Sequence, residues 1–153
     1  MTPIATRRLS RTVLAVIALS AALTGCHLPG GGGPDPVLVV TVVSPQPTTL
    51  HPDAGNPWEG ALVVEVANPT ATPFPAGDVS ASLVGFSGLS GTASSSTCNS
   101  GLPANGTCRF DFGLTVPEST PPGTTFGFTV QVTAGDLSGS VAASAQTAVP
   151  DDD

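Results

Sequence analysis

Positive charge is the scarcest property of this 153-residue chain. The sequence contains no lysine and only four arginines, against 11 Asp+Glu. Three of the arginines lie within the first eleven residues, so Arg109 is the only basic residue of the remaining chain. Proteins bind nucleic acid and anionic lipid headgroups through clustered cations. We therefore exclude nucleic acid as a partner and expect a solvated, acidic surface.

Side chains that carry chemistry are also few. The chain has two histidines, no tyrosine and a single tryptophan, Trp58. His27 lies in a Gly/Pro-rich segment and His51 in a proline-rich turn, and neither position indicates a Ser/His/Asp triad. We predict that the protein is not an enzyme, that it needs no cofactor and that it holds no resident metal.

Three alternatives depend on Trp58 and the residues near it. Asp53, Asn56 and Glu59 supply oxygen atoms that suit calcium, but Asx-turn chemistry accounts equally well for the Asp and the Asn. If Asp53 and Glu59 converged in a pocket, they would form the acidic pair of a small hydrolase. If Trp58 were exposed on a flat face, it would stack on a sugar in a carbohydrate-binding module, although we expect a buried or edge-packed aromatic.

The N-terminal segment has the layout of a secretory signal. Arg7, Arg8 and Arg11 precede an apolar stretch that runs from residue 12 to residue 23. Twelve helical residues cover about 18 Å, whereas the hydrocarbon core of a bilayer is about 30 Å thick. The stretch is therefore too short to span a membrane, and we predict that it directs export.

This segment ends in Leu23-Thr24-Gly25-Cys26, which resembles the lipobox of bacterial lipoproteins. The resemblance implies cleavage between Gly25 and Cys26 and attachment of diacylglycerol, with palmitate-type acyl chains, to Cys26. Each buried methylene contributes about 0.8 kcal/mol, so two or three acyl chains would anchor the protein stably. We expect a location in the cell envelope, on the outer membrane or the cell surface.

Composition divides the chain into four parts. Residues 1–25 are the predicted signal peptide, and residues 26–36 are the lipidated cysteine with a Gly/Pro-rich tether. Residues 37–149 form the predicted domain, and residues 150–153 form an acidic tail. Its four glycines predict a flexible tether, and about ten extended residues reach at most roughly 35 Å.

From residue 37 onward the pattern indicates β structure throughout. Apolar residues alternate with polar ones and show no helical period, and Pro or Gly marks the turns. Seven strands are predicted, at residues 37–43, 58–68, 78–84, 88–94, 108–116, 125–133 and 137–148. This number and spacing favour an all-β fold, a two-sheet Ig-like sandwich with Greek-key connections.

The two remaining cysteines, Cys98 and Cys108, are predicted to form a disulfide. Export would place them in an oxidising compartment, and the turn-rich segment between them can bring its ends together. Their spacing is far from the Cys-x-x-Cys motif of redox proteins, and two thiolates alone do not complete a zinc site.

Residues 98–130 resemble bacterial Ig-like surface-repeat domains. The matching features are the turn at residues 102–108 (LPANGTC), the alternating strand that contains Phe110 and Phe112, and the Pro-Pro-Gly turn at residues 121–123. Residues 64–70 (VEVANPT) are similar to the opening strand of cell-adhesion-related bacterial domains. The resemblance implies an Ig-like fold and a role in binding an envelope protein or glycan. The chain has a single copy and no internal repeat, so we expect a monomer rather than a long stalk.

Overall fold

The structure is a computed structural model that describes residues 34–52, 57–85 and 87–149. Within these residues it is almost entirely β, which confirms the predicted fold class. The strands are β1 (Val39–Val42), β2 (Thr48–Pro52), β3 (Trp58–Ala67), β4 (Val79–Val84), β5 (Ser90–Ser96), β6 (Thr107–Val116), β7 (Thr125–Ala134) and β8 (Leu137–Thr147). A short 3₁₀ helix, Thr97–Ser100, connects β5 to β6.

The strands form two sheets with Ig-like topology. Sheet I contains β1, β3, β6 and β5 in that order, and sheet II contains β4, β7 and β8. This division is that of the constant-type Ig sandwich, in which Greek-key connections join two packed antiparallel sheets. The predicted Ig-like arrangement is therefore confirmed.

Each of the seven predicted strands is present, with ends within two residues of the prediction, and β2 is an eighth strand that was not predicted. Its segment contains Pro47 and Pro52, which indicated a loop because proline cannot donate to a sheet ladder. Thr48 and Leu50 pair in parallel with β8, whereas His51 lies opposite Glu59 of β3. The strand thus passes from sheet II to sheet I and closes one side of the sandwich.

Two glycines allow the first strands to pass close to the sheets. A Cβ atom at Gly60 would lie 2.6 Å from Leu50 Cδ2 and 2.8 Å from Thr49 O. A Cβ atom at Gly139 would lie 3.0 Å from the carbonyl carbon of Leu38. Separations this short leave no room for a side chain, so glycine is required where β2 crosses β3 and where the chain enters beside β8.

The core lies between the two sheets and is built from every second residue of the long strands. This alternation was predicted for β6 and β7 and is present in both.

The sandwich has two ends. The proximal end, where the described chain begins, holds the connection from β3 to β4, the 3₁₀ helix and the β7–β8 turn. The distal end holds Trp58, residues 117–124 and the end of β8. Fully buried core side chains include Leu50, Leu62, Val64, Val66, Phe112, Leu114, Val116, Val130 and Val132.

Candidate functional site

The predicted disulfide is present at the proximal end. Cys98 of the 3₁₀ helix is bonded to Cys108 of β6, with the Cα atoms 5.0 Å apart, and both residues are buried. The bond closes the turn-rich segment between them onto sheet I. Gly25 and Cys26, the predicted cleavage and lipidation residues, lie outside the described residues.

Trp58 is a core residue. It opens β3, lies opposite Val116 of β6 and Pro52 of β2, and is only 7% exposed. The expectation of a buried aromatic is confirmed. The carbohydrate-binding alternative needs an exposed indole face, and Trp58 does not offer one.

Glu59 is the described member of the acidic alternatives. It is exposed on the outer face of sheet I, opposite His51 and Thr115. Asp53 and Asn56 lie outside the described residues. Within residues 34–52, 57–85 and 87–149, no three His, Cys, Asp or Glu side chains are close enough together to hold a metal ion. Nor does this part of the chain contain a helix long and apolar enough to cross a membrane.

The outer face of sheet I carries charge of both signs. Arg109 of β6 lies opposite Glu65 of β3, and its Nε and Nη2 atoms are each 3.0 Å from Glu65 Oε2. Asp111, on the same face, accepts a hydrogen bond from the Ser95 hydroxyl. The Arg109 side chain is 54% exposed, so we expect its ion pair to contribute less than about 1 kcal/mol. The one basic side chain of the described chain is therefore already paired.

Within its three strands, the outer face of sheet II carries no charged residue. Every second residue of its three strands points away from the core, and all of these residues are uncharged. These strands therefore differ from the rest of an acidic chain, because they offer hydroxyl and amide groups and no carboxylates. The residues of this face are Ser80, Ser82, Val84, Thr125, Gly127, Thr129, Gln131, Thr133, Ser138, Ser140, Ala142, Ser144 and Gln146.

A cavity of about 510 Å³ lies at the proximal end of this face. Val37, which is 61% exposed, supplies apolar surface, and Gln131, Thr133, Ser138 and Ser140 supply polar groups. A second cavity of about 300 Å³ lies beside the disulfide and is also lined by uncharged residues. Sequence reasoning missed the uncharged face because its residues are polar and scattered. The available signal was the run of Thr, Gly and Gln at alternate positions of β7.

Comparison with known proteins leaves the family open. No family model matches the chain, and no curated protein matches it. A solved structure of a family 123 glycoside hydrolase from Clostridium perfringens is 13% identical, with a TM-score of 0.45. The match covers 73% of this chain and 27% of that enzyme's length. The yeast GGA1 GAE domain is 9% identical, with a TM-score of 0.38, over 74% of this chain and 89% of that domain. At these TM-scores neither similarity carries a functional argument.

Proposed function

We propose that this protein is a membrane-anchored lipoprotein of the cell envelope that displays one Ig-like domain as a non-enzymatic binding or structural module. The lipobox-like tetrapeptide would supply the anchor at Cys26. The tether would then join the domain at its proximal end. Binding partners in this proposal are an envelope protein or a neutral glycan.

The observation that carries the proposal is where the chain enters the sandwich. The Leu38 N–H donates to Ser138 O at 3.0 Å, so the described chain joins the sandwich at the proximal end, at the residues that follow the predicted tether. The described chain leaves the domain at the distal end, beyond β8. An anchor at Cys26 would therefore hold the domain by one end and leave the distal end and both sheet faces free for contacts.

The uncharged outer face of sheet II supports the binding part of the proposal. A protein with 11 acidic residues and four basic ones repels anionic envelope components. A neutral, hydrogen-bonding partner avoids that repulsion on the face whose strands carry no carboxylates. The cavity beside Val37 adds a concave site with apolar and polar groups together, which is typical of ligand sites.

The anchor is tested by the intact mass of the protein in the membrane fraction, with wild type beside Cys26→Ser. We expect wild type to have the mass of residues 26–153 plus acyl groups, and the variant to leave the membrane fraction. A Cys98→Ser/Cys108→Ser variant is the matched control, because it removes cysteines without touching the lipobox and should stay lipidated. An unlipidated wild-type mass would contradict the anchor and leave an exported soluble domain.

A further inference from the structure

Strand β4 is a free edge of sheet II. It pairs with β7 over all six of its residues, from Val79 opposite Ala134 to Val84 opposite Thr129. Within the described residues no other strand bonds to it, and it stands at one end of the continuous strand order. A free edge presents unpaired N–H and C=O groups that can pair with another strand.

The hydrogen-bond pattern shows which groups of β4 face outward. The Gly135 N–H donates to Asp78 O at 3.3 Å, which makes these two residues a hydrogen-bonded pair in the antiparallel ladder. Such pairs alternate along a ladder, so Ser80 and Ser82 direct their main-chain groups towards β7. The main-chain groups of Val79, Ala81 and Leu83 therefore point to the free edge.

A second edge strand, β5 of sheet I, is protected. Its register with β6 shifts between Ala93 and Ser95, and a bulge of this kind discourages pairing with another strand. In addition, Ser94 Oγ donates to Asp111 O at 3.1 Å and Ser96 Oγ donates to Arg109 O at 3.0 Å, which ties the strand to β6. By contrast, β4 has no bulge in its register and no proline or charged residue.

We infer that β4 of one copy pairs antiparallel with β4 of a second copy, with Ala81 on the two-fold axis. In this register Val79 lies opposite Leu83 of the other copy, and Ala81 lies opposite Ala81. All three outward-facing residues of each copy then donate and accept main-chain hydrogen bonds. Side chains on the same face also match, because Ser80 lies opposite Ser82 on the outer face and the three apolar residues meet on the inner face.

The charge distribution does not oppose a second copy at this edge. Two copies of so acidic a chain repel each other unless their contact avoids carboxylates. In the inferred register Asp78 lies opposite Val84, and the two Asp78 residues are six positions apart, or about 20 Å. That separation exceeds the Debye length of about 8 Å at physiological salt. The pairing would join the two uncharged faces of sheet II into one continuous surface.

The test is disulfide trapping of the full chain in intact membranes. Residues of a hydrogen-bonded antiparallel pair have Cα atoms about 5.5 Å apart, within the range that a disulfide spans. Under a mild oxidant, Ala81→Cys should form a dimer on non-reducing gels that reductant reverses. Leu83→Cys is the matched control, because two such residues would be about 13 Å apart in the inferred register. We expect at least about 10-fold more dimer from Ala81→Cys, with wild type reporting any linkage through Cys26.

Three results would overturn the inference: a monomeric Ala81→Cys, equal linkage of both variants, or a cross-link of Ala81→Cys to a different protein. Sedimentation of the purified full chain is the second measurement. Ala81→Pro removes an N–H that faces the free edge and leaves the bonds to β7 in place, so it should weaken the dimer by about 100-fold without unfolding the domain. Wild type that stays monomeric at every concentration would restore the monomer expected from the sequence. The sedimentation result does not depend on the lipid, whose presence the intact mass reports separately.

Discussion

The proximal and distal ends of the sandwich are held together in different ways. At the proximal end, the Cys98–Cys108 disulfide and the buried side chain of Asn68 join two connections. At the distal end, the buried hydroxyl of Thr147 joins one connection to the last strand. Both ends therefore use a buried polar side chain, but only the proximal end adds a covalent bond.

The Asn68 side chain makes four hydrogen bonds, two as donor and two as acceptor. Its Nδ2 donates to Thr72 O at 2.8 Å and to Pro103 O at 3.1 Å. Its Oδ1 accepts from the Thr70 N–H at 2.9 Å and from the Thr70 hydroxyl at 2.7 Å. Because Pro103 lies in the segment that the disulfide closes, the amide ties the β3–β4 connection to the disulfide loop.

The Thr147 side chain makes fewer hydrogen bonds than the Asn68 side chain. Its hydroxyl donates to Pro121 O at 2.8 Å and accepts from the Thr124 N–H at 2.9 Å. These bonds hold residues 117–124 against the end of β8. The end beside the predicted tether is therefore the more strongly fixed one, and local opening should begin at the distal end.

Removing the disulfide should have the largest effect. Cys98→Ala/Cys108→Ala frees a loop of about ten residues in the unfolded chain, which costs about 3 kcal/mol of unfolding free energy. Urea denaturation of the full chain measures the loss, and wild type in reductant should reproduce it. A loss below about 1 kcal/mol would mean that the covalent bond does not distinguish the two ends.

Asn68→Ala should have the next largest effect. It removes the hydrogen bonds to the Thr72 and Pro103 carbonyls and leaves the Thr70 N–H without its partner, and we expect a loss of about 2 kcal/mol. In a double-mutant cycle with the cysteine variant, the two losses should not add, because Asn68 and the disulfide hold the same segment. Strict additivity would show that they act independently.

Thr147→Val should have the smallest effect. Valine keeps the shape of threonine but removes the hydroxyl, and we expect a loss of about 1 kcal/mol. Hydrogen exchange should increase at residues 117–124 and remain unchanged at the proximal end. Thr147→Ser, which retains the hydroxyl, should preserve the protection of residues 117–124. Increased exchange at both ends would show that the ends open together.

Much of the fold could be predicted because its signals are local. The alternation of Phe110, Phe112 and Leu114 with polar residues identified β6 and its buried face directly. Cys98 and Cys108 could be paired because the segment between them is short and rich in turn residues. In the same way, Trp58 at the start of an apolar strand indicated a core position, which the structure confirms.

The candidate site could not be predicted from the sequence in the same way. Strand β2 was missed because its prolines indicated a loop. It forms nevertheless, because it divides its pairing between two sheets and needs few ladder bonds in either one. The uncharged face became visible only when the outward residues of β4, β7 and β8 were placed side by side. Hydroxyl residues such as Ser82 and Ser140 have no distinctive pattern along the chain.

Local chemistry thus accounts for the β class, the strand positions, the disulfide and the acidic surface, because each depends on side-chain period, composition or the closure of a short loop. The partner of each strand depends on contacts between residues far apart in the chain. Tertiary packing alone therefore places β4 at an edge of the sheet. It also directs the main-chain groups of Val79, Ala81 and Leu83 outward and brings the uncharged residues together on one face. Those are the features on which binding by this domain would depend.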